Sequence, residues 1–195
     1  ITSENGAFAF TGSGIFNHND GIFKITTSDP SGTTWAGQNM VFYDVVLDTG
    51  YSVSHPDSSE NQVENDFNIS YGTTYANYED DNLNSFNKLN LNGTFDMCFD
   101  NNNDCRFVFS GDVVVQDSGD LDASGAGDQS FGSLTINNGG VYSATSGTTE
   151  ITYHDGGDYT FLGFSGIFIH NNGTVLISSG YNRRVRIGTN RFYNL

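Results

Sequence analysis

The chain has 195 residues, with 23 acidic against seven basic side chains, a formal net charge of −16, two cysteines and two prolines. So acidic a surface repels nucleic acid phosphates and anionic lipid, which argues against both as partners and suits cations or plain solubility in an extracellular medium. Glycine (24) and asparagine (23) make up nearly a quarter of the residues, yet 36% of the chain is hydrophobic and 14% aromatic. That is enough to build a core, and it is neither a disordered nor a collagen-like composition.

The chain begins at Ile rather than Met and holds no apolar run long enough for a signal sequence or a membrane span, so it reads as a processed or excerpted segment. Short β-prone runs bounded by Gly, Asn, Asp or Ser follow at 7–10, 21–26, 106–109, 112–116, 149–153, 174–177 and 185–187. Nothing keeps a 3.6-residue period over three turns, so helix is expected to be nearly absent. In Ile22-Phe23-Lys24-Ile25 and Thr174-Val175-Leu176-Ile177, positions 23/25 and 175/177 stay apolar while 24 and 176 vary. One buried and one exposed face produce that pattern.

Three stretches share a second pattern: Phe42-x-x-Val45-x-Leu47, Phe86-x-x-Leu89-x-Leu91 and Phe131-x-x-Leu134-x-Ile136, and it starts once more at Phe192. The two aliphatics at i and i+2 fit a strand, and the three-residue step after Phe breaks alternation as a bend or bulge would. Between Pro56 and Asn84 the chain turns polar and acidic. Residues 56–84 are read as an excursion from the regular structure, with a weak strand near Phe67 to Tyr71. Cys98 and Cys105 bracket a polar loop, placed to face each other across a hairpin or tight loop within disulfide reach. Two cysteines are too few for a tetrahedral zinc site, and a disulfide implies export to an oxidising compartment.

The longest-range feature is a return of the chain to its own beginning. Ser13-Gly14-Ile15-Phe16-Asn17-His18-Asn19-Asp20-Gly21-Ile22-Phe23-Lys24-Ile25 reappears as Ser165-Gly166-Ile167-Phe168-Ile169-His170-Asn171-Asn172-Gly173-Thr174-Val175-Leu176-Ile177, identical at eight of thirteen positions. Further on, Phe42-Tyr43-Asp44-Val45 answers Phe192-Tyr193-Asn194-Leu195. Residues 1–150 then read as one repeat unit and 151–195 as the start of the next, a piece of a tandem array. Many short strands leave two all-β architectures: a parallel β-solenoid (β-helix) with coils of roughly 20 residues, or an antiparallel β-sandwich. Asn and Gly at corners and the nested repetition favour the solenoid, whereas a disulfide closing a hairpin would favour the sandwich.

The runs Ser130-Phe131-Gly132-Ser133-Leu134-Thr135-Ile136-Asn137-Asn138-Gly139-Gly140 and Phe168-Ile169-His170-Asn171-Asn172-Gly173-Thr174-Val175 resemble the "FNNLTINNGG" and "GTFTHNNGTVTF" repeats of very large bacterial and phage surface or fibre proteins. Gly111-Asp112-Val113-Val114-Val115 through Leu121 fits the accompanying "GDVTVNGDLT" element. The resemblance covers residues 1–47 and 86–195 and hardly touches 56–84. It implies a β-helical stalk exported to the cell surface, and no substrate.

Candidate chemistry is sparse. His18 and His170 are equivalent in the two copies, which suits a corner residue bonding to backbone better than a catalytic one, and His55 and His154 stand alone. No nucleophile-elbow or zinc-protease pattern occurs, so no catalytic residue is assigned and the chain is read as a non-enzyme needing no cofactor. Asp100, Asn102 and Asp104 offer oxygen ligands at alternate positions, a candidate Ca²⁺ site, with Asp120, Asp122 and Asp128 as a second option. Asn68, Asn92 and Asn172 begin N-glycosylation triplets. Arg183, Arg184, Arg186 and Arg191 hold four of the seven basic charges. They would protect a strand edge from unwanted pairing or meet an acidic neighbour. The leading expectation is an extracellular structural repeat protein whose partners are other copies of itself. The alternative is a carbohydrate-binding or adhesin module using Trp35, exposed Tyr and amide groups on glycans, and after it a polysaccharide-degrading β-helix enzyme.

Overall fold

The computed structural model describes residues 2–3, 8–9, 17–27, 30–36, 40–55, 61–77, 83–99, 105–152, 160–178 and 183–195. Among these there is no helix, and the strands in chain order are β1 Thr2–Ser3, β2 Phe8–Ala9, β3 Ile22–Thr27, β4 Thr33–Ala36, β5 Val41–Phe42, β6 Asp44–Leu47 and β7 Ser52–His55. Then come β8 Gln62–Ile69, β9 Thr74–Asn77, β10 Leu83–Leu91, β11 Thr94–Asp96, β12 Arg106–Val115, β13 Asp120–Asp122 and β14 Gln129–Ile136. The last are β15 Val141–Ser143, β16 Thr148–Ile151, β17 Thr160–Phe164, β18 Ile167–Ile169, β19 Thr174–Ile177 and β20 Arg183–Arg186.

The chain passes back and forth between two sheets, with β5 and β6, β16 and β17, and β19 and β20 falling consecutively in the same one. The 12-stranded sheet runs β1-β3-β6-β8-β10-β12-β14-β16-β19 and is completed by β5, β17 and β20, while the eight-stranded sheet runs β18-β15-β13-β11-β9-β7-β4-β2. Every pairing between these strands is parallel, between one coil and the next. The protein is therefore a parallel β-solenoid of about 6 turns, and the antiparallel sandwich is excluded. An antiparallel ladder pairs strands that run in opposite directions, whereas every ladder here joins strands of different coils that run the same way.

Register sets the pitch. Val45 pairs Phe67, Phe67 pairs Leu89, Leu89 pairs Val113 and Val113 pairs Leu134, steps of 22, 22, 24 and 21 residues. The recurring Phe42, Phe86 and Phe131 thus mark every second coil, with Val63 and Phe109 filling the coils between. Rings touch across successive coils, Phe67 to Phe86 at 5.1 Å, Phe86 to Phe109 at 5.3 Å and Phe109 to Phe131 at 5.8 Å between centroids. The eight-stranded sheet faces them with its own column, Val53, Tyr75, Phe95, Leu121, Tyr142 and Phe168, all buried. Burying each such side chain stabilises by about 1.5–3 kcal/mol.

The three-residue step after Phe is a bulge. Register shifts between Phe86 and Lys88, between Phe86 and Leu89, and between Phe109 and Asp112, so β8, β10, β12 and β14 each bend into two halves. The runs 106–109 and 112–116 are accordingly the two halves of one strand. Gly132 sits at the bend of β14, where a Cβ would come within 2.5 Å of the Ser110 carbonyl on the coil before. Only glycine lets two bends nest this closely. Beyond β14 the halves separate, β16 continuing the first and β17 the second.

Within the 56–84 stretch, the described residues 61–77 lie in the stack. β8 and β9 are regular rungs that bury Val63, Phe67, Ile69 and Tyr75. The polar residues that hid this coil, Gln62, Glu64 and Asn68, alternate with the buried ones on the outer face. The buried positions 23, 25 and 175 and exposed positions 24 and 176 follow the sequence pattern.

Candidate functional site

The recurring His segment is a corner. His18-Asn19-Asp20-Gly21 and His170-Asn171-Asn172-Gly173 are tight turns closed by Gly21 N–H to the His18 carbonyl at 2.9 Å and Gly173 N–H to the His170 carbonyl at 2.8 Å. Both central residues have positive φ, 46° and 55° in the first turn and 42° and 61° in the second. This is the type I′ shape, for which Asn and Asp carry the smallest penalty after glycine. In each turn the His Nδ1 accepts the backbone N–H two residues on, at 3.0 Å. That bond leaves Nε2 as the protonated ring nitrogen. Each imidazole stacks on a tyrosine one coil later, His18 on Tyr43 at 5.9 Å and His170 on Tyr193 at 5.6 Å. Register agrees too, since Ile22 pairs Asp44 and Thr174 bridges Asn194. The ladders differ: β3 joins the second halves of the long strands and β19 the first halves.

Cys98 and Cys105 form a disulfide with Cα atoms 5.6 Å apart, both side chains buried. It joins β11 to β12, which belong to different sheets, so it closes a loop at a corner and not a hairpin. Asp100, Asn102 and Asp104 lie outside the described residues, as do His154 and the side chains of His55 and Trp35. Asp120, Asp122 and Asp128 do not gather: among the described residues no three carboxylate, His or Cys groups meet. Asp122 instead accepts the Ser124 N–H at 2.8 Å, and Asp128 the Thr148 N–H at 2.7 Å. Asp120 reaches solvent, yet its strand neighbours strip enough water to push its carboxyl up from the ordinary value, and the Asp122 carboxylate on the same face adds to this.

Many polar groups that read as free chemistry in sequence are instead struts between coils. Asp112 accepts from the Ser133 hydroxyl at 2.7 Å, and Asp44 from the Asn65 amide at 2.8 Å. Gln129, buried and absent from any sequence motif, accepts the Phe107 N–H at 3.0 Å and donates to the Cys105 and Gly127 carbonyls at 2.9 and 3.0 Å. The arginines lie on and after β20, which pairs only β17 among the described strands.

Two surface depressions among the described residues gather candidate groups. One, about 430 Å³, crosses β12, β14 and β16 and is lined by Arg106, Asp128, Thr148, Glu150 and Leu176, among others. Its charged groups are engaged, Arg106 lying 3.9 Å from Asp128 and Glu150 accepting from Ser178. The other, about 400 Å³, is a notch lined by Asp48, Asn68, Ile69, Ser70, Tyr71, Asn90 and Asn92. It brings together two of the three glycosylation triplets, one coil apart, while Asn172 lies far along the chain in the second His corner. Sequence reasoning passed over Tyr71, Asn90 and Asp48, and only the coil length of about 22 residues would have placed them beside Asn68 and Asn92. No protein-family model matches this chain, and comparison with curated proteins and with solved structures returns no match.

Proposed function

We propose that the chain is a structural segment of an extracellular stalk or fibre, lengthening by stacking one unit on the next. The observation that carries this reading is the recurrence of the His corner 152 residues on, with the same turn, the same Nδ1 bond, the same tyrosine stack and the same parallel register. A solenoid rung exposes a row of unpaired N–H and C=O groups that another coil satisfies in the same register, so stacking needs no new chemistry. In this reading residues 1–150 form one unit and 151–195 open the next, rotated about the long axis by one ladder. Export is supported by the disulfide, and no helix among the described residues is long and apolar enough to cross a membrane. The arginine row of β20 would meet the acidic surface of a neighbouring unit. Negative-stain microscopy and light scattering of the purified chain test the proposal. Rods that lengthen with concentration are expected, and monodisperse particles that never associate at any concentration would refute it.

A further inference from the structure

The notch is made by a difference in corner length. Along the ladder of the second halves, the chain turns through four residues at 48–51, 70–73, 116–119 and 137–140, and through two at Asn92-Gly93, between β10 and β11, and at Ser165-Gly166, between β17 and β18. The Ser70–Thr73 corner, closed by Thr73 N–H to the Ser70 carbonyl at 3.1 Å, overhangs the short one at Asn92-Gly93. Gly72, with φ of 79°, gives it a type II shape and puts Tyr71 at its tip, 73% exposed. Gly93 passes so tightly beneath that a Cβ there would lie 2.5 Å from the Ser70 carbonyl.

A directed chain of side-chain amides ends in this notch. Asn137 Nδ2 donates to Gln116 Oε1 at 2.9 Å, Gln116 Nε2 to Asn90 Oδ1 at 2.7 Å, and Asn90 Nδ2 to Asn68 Oδ1 at 3.3 Å. Each bond polarises the next, so the last group, Asn68 Nδ2, is a strengthened donor without a partner among the described residues. Beside it the Asn92 side-chain amide makes no hydrogen bond among the described residues and offers both a donor and an acceptor. Asp48 adds a carboxylate, already held by Lys24 at 2.5 Å. Lys24, beside the notch, is thus paired with Asp48, and the chain as a whole carries −16.

We infer that this notch binds a neutral pyranose unit of an oligosaccharide. A sugar ring presents adjacent hydroxyls, each donor and acceptor, which fit the amides of Asn68 and Asn92, and a C–H face that fits the exposed Tyr71 ring. An anionic ligand meets repulsion here, and an apolar one would leave the amides without partners. Binding would give the solenoid a recognition role beyond that of a stalk, and it does not depend on filament formation.

The test uses unglycosylated chain, because Asn68 and Asn92 both begin glycosylation triplets. A glycan array containing neutral and sialylated or sulfated glycans is probed first, followed by titration of a hit against ¹⁵N-labelled protein. Shifts of the Asn68 and Asn92 side-chain amide signals are expected. Tyr71→Ala and Asn92→Ala should each weaken binding by about tenfold or more, while Tyr71→Phe keeps most of it. Both positions are exposed, so the variants should retain the native circular dichroism. Absence of any neutral hit, preference for the anionic glycans, or affinity unchanged in both alanine variants would each overturn the inference. Rod formation is scored separately, so failure of one reading is not failure of the other.

Discussion

Removing the disulfide tests how much of this solenoid's stability is covalent. Cys98 and Cys105 are seven residues apart in sequence and close a loop at the corner between β11 and β12. In the chain-entropy treatment, a cross-link of that length removes about 8 cal/mol/K from the unfolded state, or about 2.4 kcal/mol at 25 °C. For a chain of this size each kcal/mol moves the melting temperature by about 2–4 °C, so the Cys98→Ala/Cys105→Ala double variant should melt about 5–10 °C lower. Both sulfurs are buried against the core, so the lost atoms add a cavity cost in the same direction. Thermal unfolding followed by circular dichroism, with and without reductant, reads the effect. The parent should fall toward the variant when reduced, and the variant should not respond to reductant. Equal melting temperatures for oxidised parent and variant would refute the assignment of the loop as a stabilising closure.

Three further outcomes follow from the packing and the charges. Phe109→Ala, which empties a fully buried site between Phe86 and Phe131, should cost about 3–5 kcal/mol in guanidinium unfolding. Hydrogen-exchange protection should fall first in β10, β12 and β14, and uniform loss along the whole stack would argue against coil-by-coil coupling. Gln129→Ala leaves the buried Phe107 N–H without the Gln129 acceptor and removes one of the hydrogen bonds to the Cys105 carbonyl, which keeps that from the Gly127 N–H, a loss of about 1–3 kcal/mol for the buried donor. Gln129→Glu should not restore the full set of bonds, because a carboxylate cannot donate to the two carbonyls, and a melting temperature unchanged in either variant would remove the strut. Asp48 is held below the ordinary carboxylate value, first by the hydrogen bond from Lys24 and then by that cation's charge and Ser70, against partial desolvation. A depressed folded value means that the pair's contribution is present above the unfolded value of about 3.9 and is lost as pH falls through the folded one. Because the pair is exposed, it is worth at most about 1 kcal/mol. An NMR titration should show the Asp48 midpoint rise in Lys24→Met, and an unmoved midpoint would contradict the pairing.

What could be read from sequence is what repeats with strand periodicity. Alternation at 22–25 and 174–177 marked the buried face because side chains of a strand point to opposite sides, and that rule is local. The step after Phe42, Phe86 and Phe131 marked the bend for the same reason, since a bulge is a break in alternation. The coil at 61–77 shows in sequence only as a weak strand near Phe67 to Tyr71, because its polar outward residues outnumber the buried Val63, Phe67, Ile69, Tyr75 and Ala76 in any composition window. The Phe pattern marks only every second coil, because Val63 stands in for phenylalanine and Phe109 carries one extra residue before Val113.

The amino-acid sequence by itself determined that this protein is all strand, that Asn and Gly turn its corners, and that one corner is used twice, because those features are written within a few residues of each other. Only the tertiary structure decided that the strands pair in parallel, that Asn68, Tyr71, Asn90 and Asn92 share one notch, and that the two His corners stand on different ladders. Such neighbours are a full coil apart in sequence, and the length of a coil is the sum of several turns whose one- or two-residue differences no local pattern records.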